Sequence, residues 1–201
     1  MSSKPRDPVR PEPAWDVALL FPEQGAWSEE EYLALKGNRL VEFSHGNVEV
    51  LSMPTDSHQA RVAAFFAALT ALVSAQALGT VRFAPLNLRL WPGKFRQPDV
   101  LYLAAKHDAK RKEEFWEGAD IVMEVVSPDD RRRDLVTKRR EYAQAGIPEY
   151  WVVDPTEGAI EVLALEGDSY VLHGRFGRGQ VATSRVLAGF SVEVAGILDA
   201  R

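Results

Sequence analysis

Cysteine is absent from all 201 residues, which excludes disulfides, thiolate metal ligands and a cysteine nucleophile. The absence fits a reducing compartment, and a cytoplasmic protein is expected. No run approaches the ~18 consecutive apolar residues of a membrane-spanning helix. The polar, proline-rich first residues contain no signal-peptide apolar core, so no membrane association is expected. Neither G-x-G-x-x-G nor G-x-x-x-x-G-K-[ST] occurs, so nucleotide-binding folds built on those phosphate loops lose support. No H-E-x-x-H or comparable histidine spacing marks a zinc site. Excess positive charge is missing too. The formal net charge of −5 argues against a protein that coats nucleic acid by bulk electrostatics, while leaving room for a local basic patch. There is no internal repeat.

What is present is an ordinary globular composition, 46% hydrophobic and 26% charged, in a length that fits one domain with a sizeable core. Residues 1–26 contain Pro5, Pro8, Pro11, Pro13 and Pro22 and read as a loose arm with a docked segment around Trp15 to Phe21. A single domain over residues 27–201 is expected to follow. Ser28, with Glu31 three residues on, is a capping-box pattern that opens a short helix to about Lys36. Arg39 to Phe43 and Asn47 to Ser52 read as a hairpin turned by Ser44, His45 and Gly46. Beyond Pro54, Ser57 caps a helix over His58 to Ala77 that is apolar on most sides and is therefore expected inside the domain.

Strands are expected over Thr80 to Trp91 and Gln97 to Leu103, then a basic connection over Lys106 to Lys112 and a strand over Ala119 to Val126. A helix from about Asp130 to Ala145 closes at Gly146. Strands follow at Glu149 to Val153, Ala159 to Leu165 and Ser169 to His173, the last two turned at Gly167 and Asp168. The order β-β-α-β-β-β-α-β-β-β predicts an α/β fold with a mixed sheet flanked by helices. Within it, Ile121 through Val153 should form a right-handed parallel crossover.

Two residues break these patterns. Glu124 lies in the middle of a strand whose apolar run implies burial on both faces, and Lys138 interrupts the apolar seam of the next helix. Leu135, Lys138 and Tyr142 are spaced to share one helical face. A buried ionised group costs several kcal/mol unless it is partnered. A structural Glu124–Lys138 salt bridge meets that need as well as a catalytic site does. Asp99 follows Pro98 at the head of a strand, where proline is tolerated. If the two strands are adjacent, Asp99 and Glu124 repel unless a hard divalent cation lies between them. Mg²⁺, or Mn²⁺ in its place, suits such an oxygen-rich site, and a nearby lysine would orient water and neutralise charge in the transition state.

Asp99, Glu124 and Lys138 resemble the P-D…(D/E)-x-K nuclease constellation, with Pro98-Asp99 as its first element and Glu124-Val125-Val126 as its second. The lysine position of that pattern is Val126 here, so Lys138 on the helix would take the lysine's role. The whole run resembles the Uma-two family of putative restriction endonucleases. The matching residues are Pro98-Asp99-Val100, Glu124 through Pro128, Lys138 with Tyr142, Ala145-Gly146, and Glu149 through Pro155. Upstream, Val41-Glu42 with His45-Gly46 resembles that family's E-x-x-x-G hairpin, and His58 matches a histidine opening its long helix. The likeness runs from about Ser28 to Val194.

The resemblance implies a restriction-endonuclease-like fold, a mixed sheet flanked by helices with N-terminal and C-terminal hairpin additions. It implies a metal held by Asp99, Glu124 and the Val125 carbonyl, with Lys138 orienting water and Glu42 supporting a second ion or water. Each residue also has a structural alternative. Asp99 could cap a strand end, Glu42 could lie exposed on its hairpin, and His58 reads more readily as a helix-end residue than as a ligand. Arg131, Arg132, Arg133, Arg139 and Arg140 form a basic cluster, diluted by Asp129, Asp130 and Asp134, that could contact phosphates. The expectation is a Mg²⁺- or Mn²⁺-dependent endonuclease acting on DNA, arranged as a homodimer that presents two sites to two strands. A non-catalytic interaction module with the same fold, and a hydrolase of another phosphoester such as RNA, are the alternatives.

Overall fold

The computed structural model describes residues 21–35 and 40–201. The first twenty residues of the proline-rich arm, with most of its docked segment, lie outside the described residues. So does the end of the first helix near Lys36. That helix, α1 (Glu29–Leu33), begins as the sequence predicts: Ser28 and Glu31 exchange side-chain to backbone hydrogen bonds in a capping box.

Strands β1 (Val41–Ser44) and β2 (Asn47–Val50) form the expected antiparallel hairpin. Its turn requires glycine at position 46, where φ is +82° and a Cβ would meet the Gly25 carbonyl oxygen at 2.3 Å. Helix α2 (Asp56–Ala75) is capped by Thr55, whose hydroxyl accepts from the His58 amide at 3.2 Å, rather than by Ser57. It does not lie inside the domain. Only the stripe Val62, Phe65, Leu69 and Val73 is buried. The outer face includes Ala63 and Ala67, apolar in composition but too small to demand burial.

The expected strand from Thr80 to Trp91 is two strands. Pro85 has no N–H to donate to a ladder, and the chain breaks there into β3 (Gly79–Phe83) and β4 (Asn87–Trp91), which join different sheets. After β4 come β5 (Lys94–Arg96), β6 (Val100–Ala104), β7 (Phe115–Trp116) and β8 (Ile121–Val125). A π-helical stretch, Arg133–Lys138, runs into α3 (Arg139–Gln144). The chain ends in β9 (Glu149–Asp154), β10 (Ala159–Glu166), β11 (Ser169–Gly177), β12 (Val181–Thr183), β13 (Ser191–Glu193) and α4 (Val194–Leu198).

A six-stranded sheet has the order β11-β10-β9-β8-β6-β3, and a five-stranded sheet the order β2-β1-β5-β4-β7. Strands β8 and β9 are parallel, with Glu124 opposite Val152, as a strand–helix–strand crossover requires. The other pairs of the six-stranded sheet are antiparallel, so the sheet is mixed.

The period of two along β8 divides its side chains between two cores. Ile121, Met123 and Val125 pack with the α2 stripe and with Trp151 and Phe190. Val122 faces the other side, with Tyr142, Ile147 and Tyr150, and this is also the side to which Glu124 turns. A third cluster, Tyr32, Val41, Phe43 and Phe95, packs α1 on the five-stranded sheet.

The short strands β12 and β13 carry no sequence signal of their own, and a carboxylate anchors them. Glu149 is fully buried and accepts from Trp151 Nε1, Ser184 Oγ and the amides of Arg185 and Val186 at 2.6–3.0 Å. Among the described residues no helix is long and apolar enough to cross a membrane.

Candidate active site

Strand β8 and the π-helical turn above it bring the two sequence anomalies into contact. Lys138 Nζ lies 2.9 Å from Glu124 Oε2 and 3.1 Å from Asp134 Oδ1. Tyr142 donates its hydroxyl to Glu124 Oε1 at 2.6 Å. Thus the helical seam Lys138–Tyr142 covers both oxygens of the strand carboxylate. Asp134, which no strand or helix pattern singled out, also accepts from the Ser127 amide at 3.3 Å. Its only sequence signal was the i,i+4 spacing to Lys138.

Burial raises the Glu124 carboxyl above its ordinary value. Lys138 opposes that shift, while the Asp99 and Asp134 carboxylates add to it. Lys138 is raised as well: burial alone would lower it, but Glu124, Asp134, Glu42 and Asp99 together hold its proton. The lysine therefore stays charged. It can donate hydrogen bonds and neutralise charge, but it cannot take a proton from water.

Asp99 stands beside this pair at the head of β6. Its Oδ2 accepts from the Val125 amide at 2.7 Å and lies 3.2 Å from His58 Nε2. His58, at the start of α2, thus reaches Asp99 across the sheet rather than merely ending a helix. Burial lowers its pKa, but the Asp99 carboxylate, Glu124 and the Val125 main-chain carbonyl raise it overall.

Glu42 is not exposed on its hairpin. It is completely buried, because the π-helical turn and β5 cover that face of β1. Arg96 Nη1 donates to its Oε2 at 2.5 Å, Arg133 binds the same oxygen, and the Gln97 amide donates to Oε1 at 3.0 Å. Burial alone would raise this carboxyl, yet Lys138, Arg96 and Arg133 bring it down to about 2. With both oxygens engaged, Glu42 is the counter-ion of two arginines.

The arginine cluster divides by role. Arg131 is bound bidentately by Asp154, at 2.7 and 2.9 Å. Arg133 bridges Glu42 and Glu49. Arg132 is exposed, and neither its side chain nor that of Arg139 has a hydrogen bond or ion pair among the described residues. Arg96 and Glu141, absent from the sequence reading, form a bidentate pair at 2.7 and 3.0 Å that Lys94 joins at 2.7 Å. Arg96 lies in a three-residue strand, too short for any periodicity to reveal.

The donor chemistry suits a small hard cation. Asp99, Glu124 and Asp134 bring three carboxylates to bear on one lysine, so acidic groups outnumber the cation that faces them. His58 Nε2 meets Asp99 Oδ2 at 3.2 Å and also interacts with the Val125 carbonyl, so it stands as a donor against two of the oxygens that would face a cation. Among the described residues no three acidic or histidine side chains converge closely enough to chelate an ion by themselves. Two carboxylates and a carbonyl, completed by water and substrate, are the protein share that Mg²⁺ commonly takes.

With the sheet order and these carboxylates in place, the fold is that of the restriction-endonuclease-like nucleases. A family model described as putative restriction endonuclease, Uma-two, matches residues 29–195, and the chain belongs to that family. Its structure is similar to the crystal structure of a putative nuclease of DUF820 from Anabaena variabilis, with a TM-score of 0.70. That likeness covers 86% of this chain and 98% of the other at 15% identity, and at this identity it speaks for the fold. No curated protein matches the chain.

Proposed function

We propose that this protein is a divalent-metal-dependent endonuclease that hydrolyses DNA phosphodiester bonds. The observation that carries the reading is the buried contact between Glu124 and Lys138, with Asp99 beside it at the head of the adjacent strand β6. Asp99, Glu124 and the Val125 carbonyl would hold the ion, Mg²⁺ or Mn²⁺. When bound, the ion supplies electrophilic stabilisation of the phosphate in the transition state.

The chain's own residues supply the remainder. Lys138 has three N–H donors, of which two meet Glu124 and Asp134. The third, without a partner among the described residues, would orient water and neutralise charge developing on the phosphate. Tyr142 and Asp134 hold the carboxylate and the ammonium in place, which keeps the geometry fixed between turnovers. Arg132 and Arg139 would contact the DNA backbone, while Arg131 and Arg133 answer carboxylates first. The same reading expects a homodimer, with two sites for two strands, in the cytoplasm.

The test is cleavage of supercoiled plasmid, single-stranded and branched DNA by purified protein with Mn²⁺ or Mg²⁺. Wild type should nick or cut, and Glu124→Gln should not. Failure of the wild type on every DNA with both metals would favour the non-catalytic module, which would keep the Lys138–Glu124–Asp134 network as an internal salt bridge. Cleavage of RNA alone would move the substrate to that polymer.

A further inference from the structure

Glu42 and Glu49 stand directly opposite each other on the β1–β2 hairpin. Like charges in that position destabilise a sheet pair unless cations lie between them. Here Arg96 and Arg133 do so, but the two carboxylates are held very differently. Glu42 is wholly buried, with both oxygens engaged. Glu49 lies on an edge strand with its side chain 51% exposed. It holds Arg133 Nη1 at 2.6 Å and Arg96 Nη1 at only 3.5 Å. An exposed ion pair of this kind is weak.

Around Glu49 opens a cavity of about 310 Å³ lined by Arg96, Asp130, Arg132, Arg133 and Thr137. It contains more donors than its carboxylates use. The Arg132 side chain has no partner among the described residues, and neither has the Thr137 hydroxyl. A carboxylate presents two oxygens in one plane. A DNA phosphodiester also presents two charged oxygens, but on a tetrahedral centre with two ester oxygens beside them, and arginine forks match it. Arg133, Thr137 and Lys138 lie on one π-helical stretch, and Arg133 of the cavity pairs with Glu42, whose carboxyl Lys138 also lowers, so the cavity adjoins the candidate active site.

We propose that this cavity is a phosphate subsite for the substrate strand, closed in the free protein by the Glu49 carboxylate, which an incoming DNA phosphate displaces. Glu49 then acts as a built-in competitor that lowers affinity for isolated phosphates and yields to a strand anchored at several points. The inference rests on the nuclease reading for the identity of the strand, but it concerns binding and needs no turnover.

Its test is therefore carried out in EDTA. Fluorescein-labelled duplex DNA is titrated by anisotropy, and inorganic phosphate by thermal shift. Glu49→Gln should tighten DNA binding about fivefold, the scale of one weak ion pair, and should lower the phosphate concentration that stabilises the protein. Arg132→Ala should weaken DNA binding and reduce its salt dependence by about one counter-ion.

The matched control is Glu166→Gln. Glu166 is 52% exposed and pairs with Arg185 at 2.7 Å, so its removal changes net charge equally at a remote place. An equal gain from Glu166→Gln, or no gain from Glu49→Gln, would overturn the proposal. DNA binding that responds as expected in a protein that never cleaves would leave the subsite standing and remove the nuclease reading. Phosphate stabilisation without DNA binding would overturn the displacement by a strand.

Discussion

Lys138 meets Glu124 at 2.9 Å from the helix, while Val126, two residues beyond Glu124 and just past the end of its strand, packs in the core with Leu88, Val122 and Tyr142. The cation therefore approaches the carboxylate from above rather than from along the strand, and it brings Asp134 with it. A buried pair gains little over an apolar replacement, but removing one partner leaves the other uncompensated at a cost of about 3–5 kcal/mol. A replacement that leaves each neighbour a partner avoids most of that cost.

Glu124→Gln should keep the fold, because Lys138 retains Asp134 and Tyr142 retains an acceptor in the amide. What it should lose is the response to metal. In wild type, Mn²⁺ at a hundred times its Kd should add about 2.7 kcal/mol of stability by mass action. The variant should show little of that rise in calorimetry. A rise equal to that of wild type would place the ion elsewhere.

A second prediction concerns acid stability. The Glu42 carboxyl is lowered from 4.5 to about 2 in the folded protein. Between those values the unfolded chain binds the proton and the folded one does not, so stability rises with pH across that window. The contribution, about 3 kcal/mol, is fully present above the unfolded value and is lost as pH falls towards 2. Glu42→Gln should therefore lie about 3 kcal/mol below wild type at pH 7 in urea titrations, and the gap should close in acid. A gap independent of pH would mean that packing, and not charge, sets the difference.

Parts of this arrangement were legible in the sequence. A glutamate in an apolar strand and a lysine in an apolar seam were visible because local period and residue type disagreed. The structure explains both by one contact. The hairpin of β1 and β2, the parallel β8–β9 pair and the β10–β11 hairpin followed from local pattern and turn chemistry. The break at Pro85 was present as a single residue, but nothing local says that β3 and β4 leave for different sheets. For Glu42 the sequence left a site role and an exposed hairpin position both open, because a four-residue strand cannot say which face is covered, and the cover comes from Arg96 and Arg133, 54 and 91 residues away. Long-range partners of this kind leave no trace in periodicity.

Glu149 gives a third prediction, one that separates fold from site. Its carboxylate accepts four hydrogen bonds, three of them from the 184–186 segment. Glu149→Gln replaces one acceptor oxygen with a donor that faces other donors. Hydrogen bonds to a charged group contribute about 1.5–3 kcal/mol, and a loss of about that size is expected. Hydrogen exchange should quicken at Arg185 and Val186 while the stabilisation by Mn²⁺ persists. Loss of the metal response would tie this segment to the site.

The last prediction separates the two roles assigned to basic residues. Lys138→Ala removes the cation that faces Glu124 and Asp134, while Asp99, Glu124 and the Val125 carbonyl remain to hold the ion. A group that stabilises charge only as it develops acts in the transition state, so cleavage should fall by at least about a hundredfold, against a change in DNA affinity of only a few-fold. Metal should offset part of the stability lost on truncation, because the ion replaces the missing positive charge beside Glu124. Arg139→Ala, by contrast, should weaken DNA binding and flatten its salt dependence with the single-turnover rate at saturation little changed. Cleavage by Lys138→Ala at the wild-type rate would mean either a contaminating nuclease or a different catalytic cation. Running Glu124→Gln through the same purification decides between the two, since a contaminant would cut there as well.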